Sequence, residues 1–191
     1  MSNEKRELRE RLRLARREHV AGLDEATRAL LFLRPPRVLL DMIAPDATIG
    51  LYAAMPHEAP ANGYARFFAE RGHALALPRF AHRAAPMEFA GFADPFGEND
   101  LEVGPFGLLQ PRDDAPKVEP DVLFVPLLGF TAAGERIGQG GGHYDHYLAA
   151  RPDVKAIGLA WDAQLVESLP TEEHDMRLHH VVTPTRVFGP F

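Results

Sequence analysis

Leu8, Leu12 and Ala15 recur at spacings of four and three near the start of the chain, with Arg and Glu crowding the positions between them. That period predicts a helix over residues 3–20 with one narrow apolar stripe and many opposite charges four apart on its outer faces. Asp24 suits the N-cap of a second helix that fades at Pro35 and Pro36, and the apolar stretch 38–43 gives a third helical segment stopped by Pro45. The pattern then shifts to short apolar runs. Residues 47–54, 74–77 (closed by Pro78) and 87–92 read as strands. Between the first two, residues 60–71 form a helix with Tyr64, Phe67 and Phe68 on one face and Gly72 at its end. Residues 94–120, rich in Gly and Pro, read as a loop with little regular structure.

The clearest unit follows. Residues 122–127 are a continuous apolar run suited to a buried strand; a glycine-dense loop comes next, then a short helix from about His143 to Ala150, then a strand over 156–161. Strand, loop, helix, strand implies a parallel βαβ crossover. With helical and strand segments alternating along the chain, the expected fold is a single α/β domain over residues 1–191. It is expected to be a three-layer Rossmann-like sandwich with a mostly parallel central sheet and helices on both faces.

Composition narrows the function classes. Hydrophobic residues make up 46% of the chain, enough for a sizeable core. The net charge of -6 argues against a broad nucleic-acid-binding face, which needs basic residues to displace counterions. Cysteine is absent, which excludes disulfides, a thiolate nucleophile and Cys-ligated zinc. The most apolar stretch, 122–133, is interrupted by Pro126 and Gly129 and too short to span a bilayer. With no apolar leader among the first residues, a cytoplasmic, monomeric protein is expected, without nucleic-acid or membrane partners.

Six glycines fall between positions 129 and 142: Gly129, Gly134, Gly138, Gly140, Gly141 and Gly142. Three in succession cost entropy unless the backbone must bend sharply or approach something closely. This loop leaves the C-terminal end of a strand and opens a helix, where backbone N–H groups favour an anion such as phosphate. The alternative is a flexible surface loop. Neither the Walker phosphate-loop pattern nor the dinucleotide fingerprint fits, since His143 stands where the latter needs its third glycine. Arg136 is the natural cation within the loop, suited to phosphate unless it is merely exposed. Lys5 and Arg9, four apart on one helical face, either reach phosphate together or solvate the helix; Arg13 and Arg16 extend that surface and are expected to be solvated. Asp145, in the first helical turn after the glycines, suits either Mg²⁺ or the helix end. Tyr144 and Trp161 offer ring surface to a ligand or belong to the core. Neither His143 and His146 around Asp145 nor His174 with His179 and His180 has a strong metal spacing, so catalytic zinc is not expected.

The segment Pro126-Leu-Leu-Gly-Phe-Thr-Ala-Ala-Gly-Glu-Arg136-Ile-Gly-Gln-Gly-Gly-Gly-His-Tyr-Asp145 resembles the signature of the 5-formyltetrahydrofolate cyclo-ligase family, roughly Pro-x-x-x-Phe-x-x-x-Gly-x-Arg-Leu-Gly-x-Gly-x-Gly-Tyr-Tyr-Asp. Lys5-Arg-Glu-Leu-Arg9 is similar to the family's N-terminal Lys-x-x-Leu-Arg, residues 49–58 to its folate-side strand and loop, and Asp175-Met176 to its acidic element near the C-terminus. Two positions depart from the pattern. His143 stands where the family more often has Tyr, and Gln139 where an aromatic or Arg is frequent.

The resemblance implies an ATP- and Mg²⁺-dependent ring closure of 5-formyltetrahydrofolate to 5,10-methenyltetrahydrofolate, with release of ADP and phosphate. It implies catalytic roles for Arg136, Lys5 and Arg9. The nucleotide would be met by Lys5, Arg6, Glu7, Leu8 and Arg9 on the first helix and by Arg136, Ile137, Gly138, Gln139, Gly140, Gly141, Gly142, His143 and Tyr144 in the loop. The folate would be met by Ala53 and Glu58, together with Gln139, Gly140, Gly141, Gly142 and His143. Asp145 and Asp175 would hold the metal, the plain alternative for Asp175 being a loop aspartate. Two other readings stay open on the residues alone: a related phosphate-binding enzyme that admits no folate, and a non-catalytic nucleotide- or folate-binding protein.

Overall fold

The computed structural model describes residues 3–172 and 175–191. Its helices are α1 (Asn3–Ala21), α2 (Glu25–Leu30), α3 (Arg37–Leu40), α4 (Asn62–Ala69) and α5 (His143–Ala149). Seven strands form the main sheet: β1 (Ile49–Gly50), β2 (Leu75–Arg79), β3 (Glu88–Gly91), β6 (Val122–Pro126), β9 (Lys155–Leu159), β10 (His180–Val182) and β11 (Val187–Phe188). Two small hairpins lie outside it, β4 (Leu101–Val103) with β5 (Leu109–Pro111), and β7 (Gly129–Phe130) with β8 (Arg136–Ile137). Among the described residues no helix is long and apolar enough to cross a membrane.

The sheet order is β11-β10-β9-β6-β1-β2-β3. The five inner strands are parallel, and β3 and β11 close the edges antiparallel. The expected crossover, β6-α5-β9, is present, and β1-α4-β2 forms a second. Strand side chains alternate between two buried clusters. Val122, Phe124, Ile157 and Leu159 join Tyr64 and Phe68 of α4 in one, while Leu123, Val125 and Ala156 join Tyr147 and Leu148 of α5 in the other. A strand buried on both sides needs apolar residues at every position, which is why 122–127 shows no polar alternation. Because β1 is followed by β2 on one side and β6 lies on its other side, the chain reverses direction across the sheet between β1 and β6. Open α/β sheets place their ligand crevice at that point.

Several boundaries differ from the sequence expectation. The ladder of β1 covers only Ile49 and Gly50, with one further bond from Leu51 N to Ala76 O. β2 runs through Pro78 to Arg79, because beyond Ala76 it pairs only with the antiparallel β3. The α4 helix is shorter than the expected 60–71, stopping at Ala69, but its closing turn falls as expected on Gly72, at φ 83°, with His73 N donating to Phe68 O and Gly72 N to Ala69 O. The largest correction concerns 94–120, which holds the β4–β5 hairpin. Its turn is Gly104-Pro105-Phe106-Gly107, with Gly107 N bonded to Gly104 O and Gly104 N to Leu108 O. Gly107 takes φ 76°, as the fourth residue of such a turn requires. The strands β10 and β11 were not expected either; each is three residues or fewer.

Phe124 is fully buried at the centre of the sheet against the rings of Tyr64 and Phe68. Phe124→Ala is expected to lower stability by about 3–5 kcal/mol in urea unfolding, and a loss below about 1 kcal/mol would contradict this packing.

Candidate functional site

A cavity of about 630 Å³ opens at the switch point, a volume typical of small-molecule sites. Its walls come from the segment after β1 (Tyr52, Ala53, Met55 and Glu58), the segment 136–145 after β6, Lys5 and Arg9 of α1, and Glu172 and Asp175. An apolar wall completes it, formed by Pro78, Phe80 and Met87 with the hairpin residues Phe106, Leu108 and Leu109.

The first two glycines of the loop serve the fold. Gly129 passes so close to α1 that an added Cβ would lie 2.9 Å from Leu12 Cδ1. Gly134, at φ 81°, closes the β7–β8 turn, with Gly134 N bonded to Thr131 O and Thr131 N to Glu135 O. The remaining glycines line the cavity. Gly140 at φ 106° and Gly142 at φ 68° take conformations that side chains disfavour. Arg9 Nε donates to Gly138 O at 2.9 Å and Arg13 Nη2 to Gln139 O at 3.2 Å, so α1 engages the carbonyls of this loop. Among the described residues, no main-chain N–H of residues 138–142 donates to a protein acceptor. A row of unspent amides beside a cavity is a nest for an anion.

Charged groups converge on the same place. The Arg136 side chain is 4% exposed and its Nη2 lies 2.7 Å from Asp145 Oδ1. Met176 N also donates to that oxygen, at 3.1 Å, so Asp145 Oδ2 takes part in neither bond. Burial lowers the pKa of Arg136, opposed by the charges of Asp145 and Asp175, and its Nε has no partner among the described residues. Lys5, equally buried, sets Nζ 2.7 Å from Asp175 Oδ2 and 3.2 Å from Glu172 Oε2. Glu172 N donates to the same Asp175 oxygen at 2.7 Å. Tyr144, half-buried, has its pKa raised by burial and then by the charge of Glu58. Burial and the neighbouring His146 lower that of His143, whose ring packs on Phe80 and Phe106 at 4.9 and 5.6 Å.

Of the predicted site residues, Lys5, Arg9, Ala53, Glu58, Arg136 and Ile137 line the cavity, as do Gly138, Gln139, Gly140, Gly141, Gly142, His143, Tyr144, Asp145 and Asp175. Arg6 and Glu7 occupy the exposed side of α1, and Leu8 packs with Leu12, Leu128 and Ile137. Trp161 is core: its ring meets Phe32 at 5.4 Å, and its indole N–H donates to His57 O at 2.9 Å, holding the segment that carries Glu58. His174 lies outside the described residues. Arg16, expected in solvent, is buried with its side chain 6% exposed and faces Glu58. A basic residue on the apolar stripe at helical spacing from Leu12 was the available signal. The hairpin wall was missed because its strands are three residues long; the signal was Gly-Pro-Phe-Gly flanked by Leu and Val.

Fold and site together define an open α/β protein with an amide-lined crevice at its switch point, furnished with buried cations that suit a phosphorylated ligand. Within that class the chain belongs to the 5-formyltetrahydrofolate cyclo-ligase family, whose family model matches residues 1–184. It is 46% identical over 82 residues to the 5-formyltetrahydrofolate cyclo-ligase of Escherichia coli strain K12, covering 42% of this chain and 45% of that one. The matched part therefore spans a little under half the length of that curated relative. The mouse 5-formyltetrahydrofolate cyclo-ligase is 24% identical over 183 residues, 90% of each chain. The fold resembles the NMR structure of Aquifex aeolicus 5,10-methenyltetrahydrofolate synthetase, with TM-score 0.75 and 24% identity over 97% of this chain and 92% of that one.

The apolar wall is held by Gln110, whose side-chain amide donates to Phe80 O at 3.2 Å and accepts from Phe80 N at 3.1 Å. Gln110→Ala leaves both Phe80 groups unpaired and is expected to cost about 1–3 kcal/mol and to speed amide hydrogen exchange across residues 104–108. Unchanged exchange there would show that the wall is fixed by other contacts.

Proposed function

We propose that this chain catalyses the ATP- and Mg²⁺-dependent cyclisation of 5-formyltetrahydrofolate to 5,10-methenyltetrahydrofolate, releasing ADP and phosphate. Family membership and the names of its relatives supply the reaction. The observation that carries the site assignment is the unspent amide row of residues 138–142 in one cavity with Lys5, Arg136, Asp145 and Asp175. The reading covers residues 1–191 as one cytoplasmic, monomeric domain, a three-layer Rossmann-like sandwich with helices on both faces of the sheet.

The chemistry explains the need for ATP. A formyl group on nitrogen is amide-like, and its oxygen leaves poorly. Transfer of the γ-phosphoryl to that oxygen gives an imidate-type phosphate, N10 attacks the same carbon, and the ring closes as phosphate departs. Such a transfer asks the protein chiefly for position and positive charge. Amides of residues 138–142 would cradle the phosphates, with Arg136, Lys5 and Arg9 as the cations. Glu58, whose Oε2 accepts from Met55 N at 2.9 Å, would accept from the pterin's amino and ring N–H groups. Ala53 and the apolar wall would enclose the rest of the folate, with His143 and Gln139 bordering both ligands.

Among the described residues no three His, Asp or Glu group together to hold a metal unaided. Asp145 and Asp175, both in the cavity wall beside the glycine loop, are hard oxygen donors that suit an ion also bound by phosphate oxygens. Mg²⁺ held there would neutralise charge on the phosphates.

The test is to mix the purified protein with 5-formyltetrahydrofolate, Mg²⁺ and ATP and follow the near-ultraviolet absorbance of the methenyl product. An absorbance rise is expected; none, with both ligands shown to bind, would favour a non-catalytic binding protein. Arg136→Ala is expected to lower kcat by about 10²-fold, and Asp145→Ala to raise the Mg²⁺ requirement by roughly tenfold or more. An unchanged Mg²⁺ titration would remove Asp145 from the metal site.

A further inference from the structure

The buried positions of α1 are Lys5, Leu8, Leu12, Arg16 and Val20, a stripe at spacings of three and four that carries two cations among its apolar residues. Within the cavity wall Lys5 meets the acidic pair Glu172 and Asp175, and Arg9 meets the glycine loop at Gly138 O. Arg16, eleven residues from Lys5 and so roughly 16 Å along the helix, serves another place. Its Nη1 lies 3.4 Å from Glu58 Oε1 and 3.5 Å from Leu127 O, with side chains 6% and 3% exposed for Arg16 and Glu58. Its Nε is buried without a partner among the described residues. Glu58 lines the cavity, whereas Arg16 is not among its lining residues.

Glu58 is held from two further directions. Met55 N fixes Oε2 at 2.9 Å, and Gln139 Nε2 approaches Oε1 at 3.4 Å. Gln139 is itself held by Arg13 Nε, 3.0 Å from its Oε1. Two arginines of α1 therefore control one carboxylate, Arg16 directly and Arg13 through a residue of the glycine loop. A buried guanidinium with an idle N–H is a poor device for stability, because apolar packing of the same volume serves as well or better. What it supplies is a balanced charge and a fixed carboxylate in a pocket whose far wall is apolar.

We propose that Arg16 is a positioning residue for the folate site: it sets the Glu58 carboxylate for the pterin without touching the substrate. This rests on the reading of the cavity as a folate site. It makes α1 a rail that carries the cations of the phosphate end and the orienting charge of the pterin end on one rigid helix.

A double-mutant cycle in the absorbance assay decides it, using Arg16→Gln, Glu58→Gln, the pair together and Arg16→Lys, with melting temperatures recorded for each. Both single Gln variants are expected to raise the folate KM about tenfold with the ATP KM little changed, as loss of an orienting contact to one substrate does. In the Glu58→Gln background, Arg16→Gln is expected to add nothing further, and Arg16→Lys alone to keep most of the native folate KM. If Glu58→Gln raises the folate KM while Arg16→Gln does not, or if Arg16→Gln acts equally in both backgrounds, the proposal is overturned and the folate reading stands. An unchanged folate KM in Glu58→Gln overturns both. Should Arg16→Gln fail to fold, the cycle is run with Arg16→Met, which keeps the buried volume, and the same outcomes decide.

Discussion

Three cations sit in or behind the walls of this cavity with their side chains almost wholly withdrawn from water: Lys5, Arg16 and Arg136, each 4–6% exposed and each facing a carboxylate. A buried charge is tolerated only when paired and hydrogen-bonded, and this constraint organises the rest. It ties α1 to both Asp175 and Glu58, ties the start of α5 to β8 through Asp145 and Arg136, and draws the segment around Asp175 inward through Lys5 and Met176 N. Elements far apart in the chain meet here, each cation balanced by a carboxylate from another segment. Asp145 holds Arg136 and Asp175 holds Lys5 in the cavity wall, while Glu58 holds Arg16 behind it.

The fold supplies the setting at modest cost. Parallel strands β1 and β6 diverge in their connections, leaving a crevice that no strand-to-helix turn fills. Two hairpins, each with a left-handed glycine in its turn, flank it. In one, Gly134 aims Arg136 back from the turn toward Asp145; in the other, Gly107 carries Phe106 and Leu108 to the opposite wall. Gln110 and Arg79 fasten the second hairpin to β2, Arg79 Nε donating to Pro111 O and Arg112 O at 3.2 Å. One side of the cavity is thus charged and rich in amides, the other apolar, as a ligand with an anionic part and an aromatic part requires.

Much of this was legible in the chain. The apolar run 122–127, the glycines behind it and the helix opening at His143 encode the central crossover through local pattern alone, and the same stretch carries the residues that line the anionic side. Gly72 announced the end of α4 because its left-handed backbone is a local requirement. What local pattern did not carry was partnership. Arg16 looks like any arginine on a charged helix until Glu58, 42 residues away, is seen beside it. The β4–β5 hairpin is too short for a periodic signal, and its stability comes from Gln110 and Arg79, whose bonds join β5 to β2 across thirty residues or more. Likewise β10 is a strand only because β9 is there to pair with, and β11 only because β10 is.

On the proposed function, one cavity holds a phosphate-bearing ligand on the amides of residues 138–142 and a folate against Glu58. A crystal structure of the protein with Mg²⁺, ADP and 5-formyltetrahydrofolate tests it most directly. The predicted result is phosphate oxygens within hydrogen-bond distance of those amides and of Arg136, with the pterin's N–H groups on the Glu58 carboxylate. Nucleotide density away from the glycine loop, or a pterin that leaves Glu58 unengaged, would contradict it.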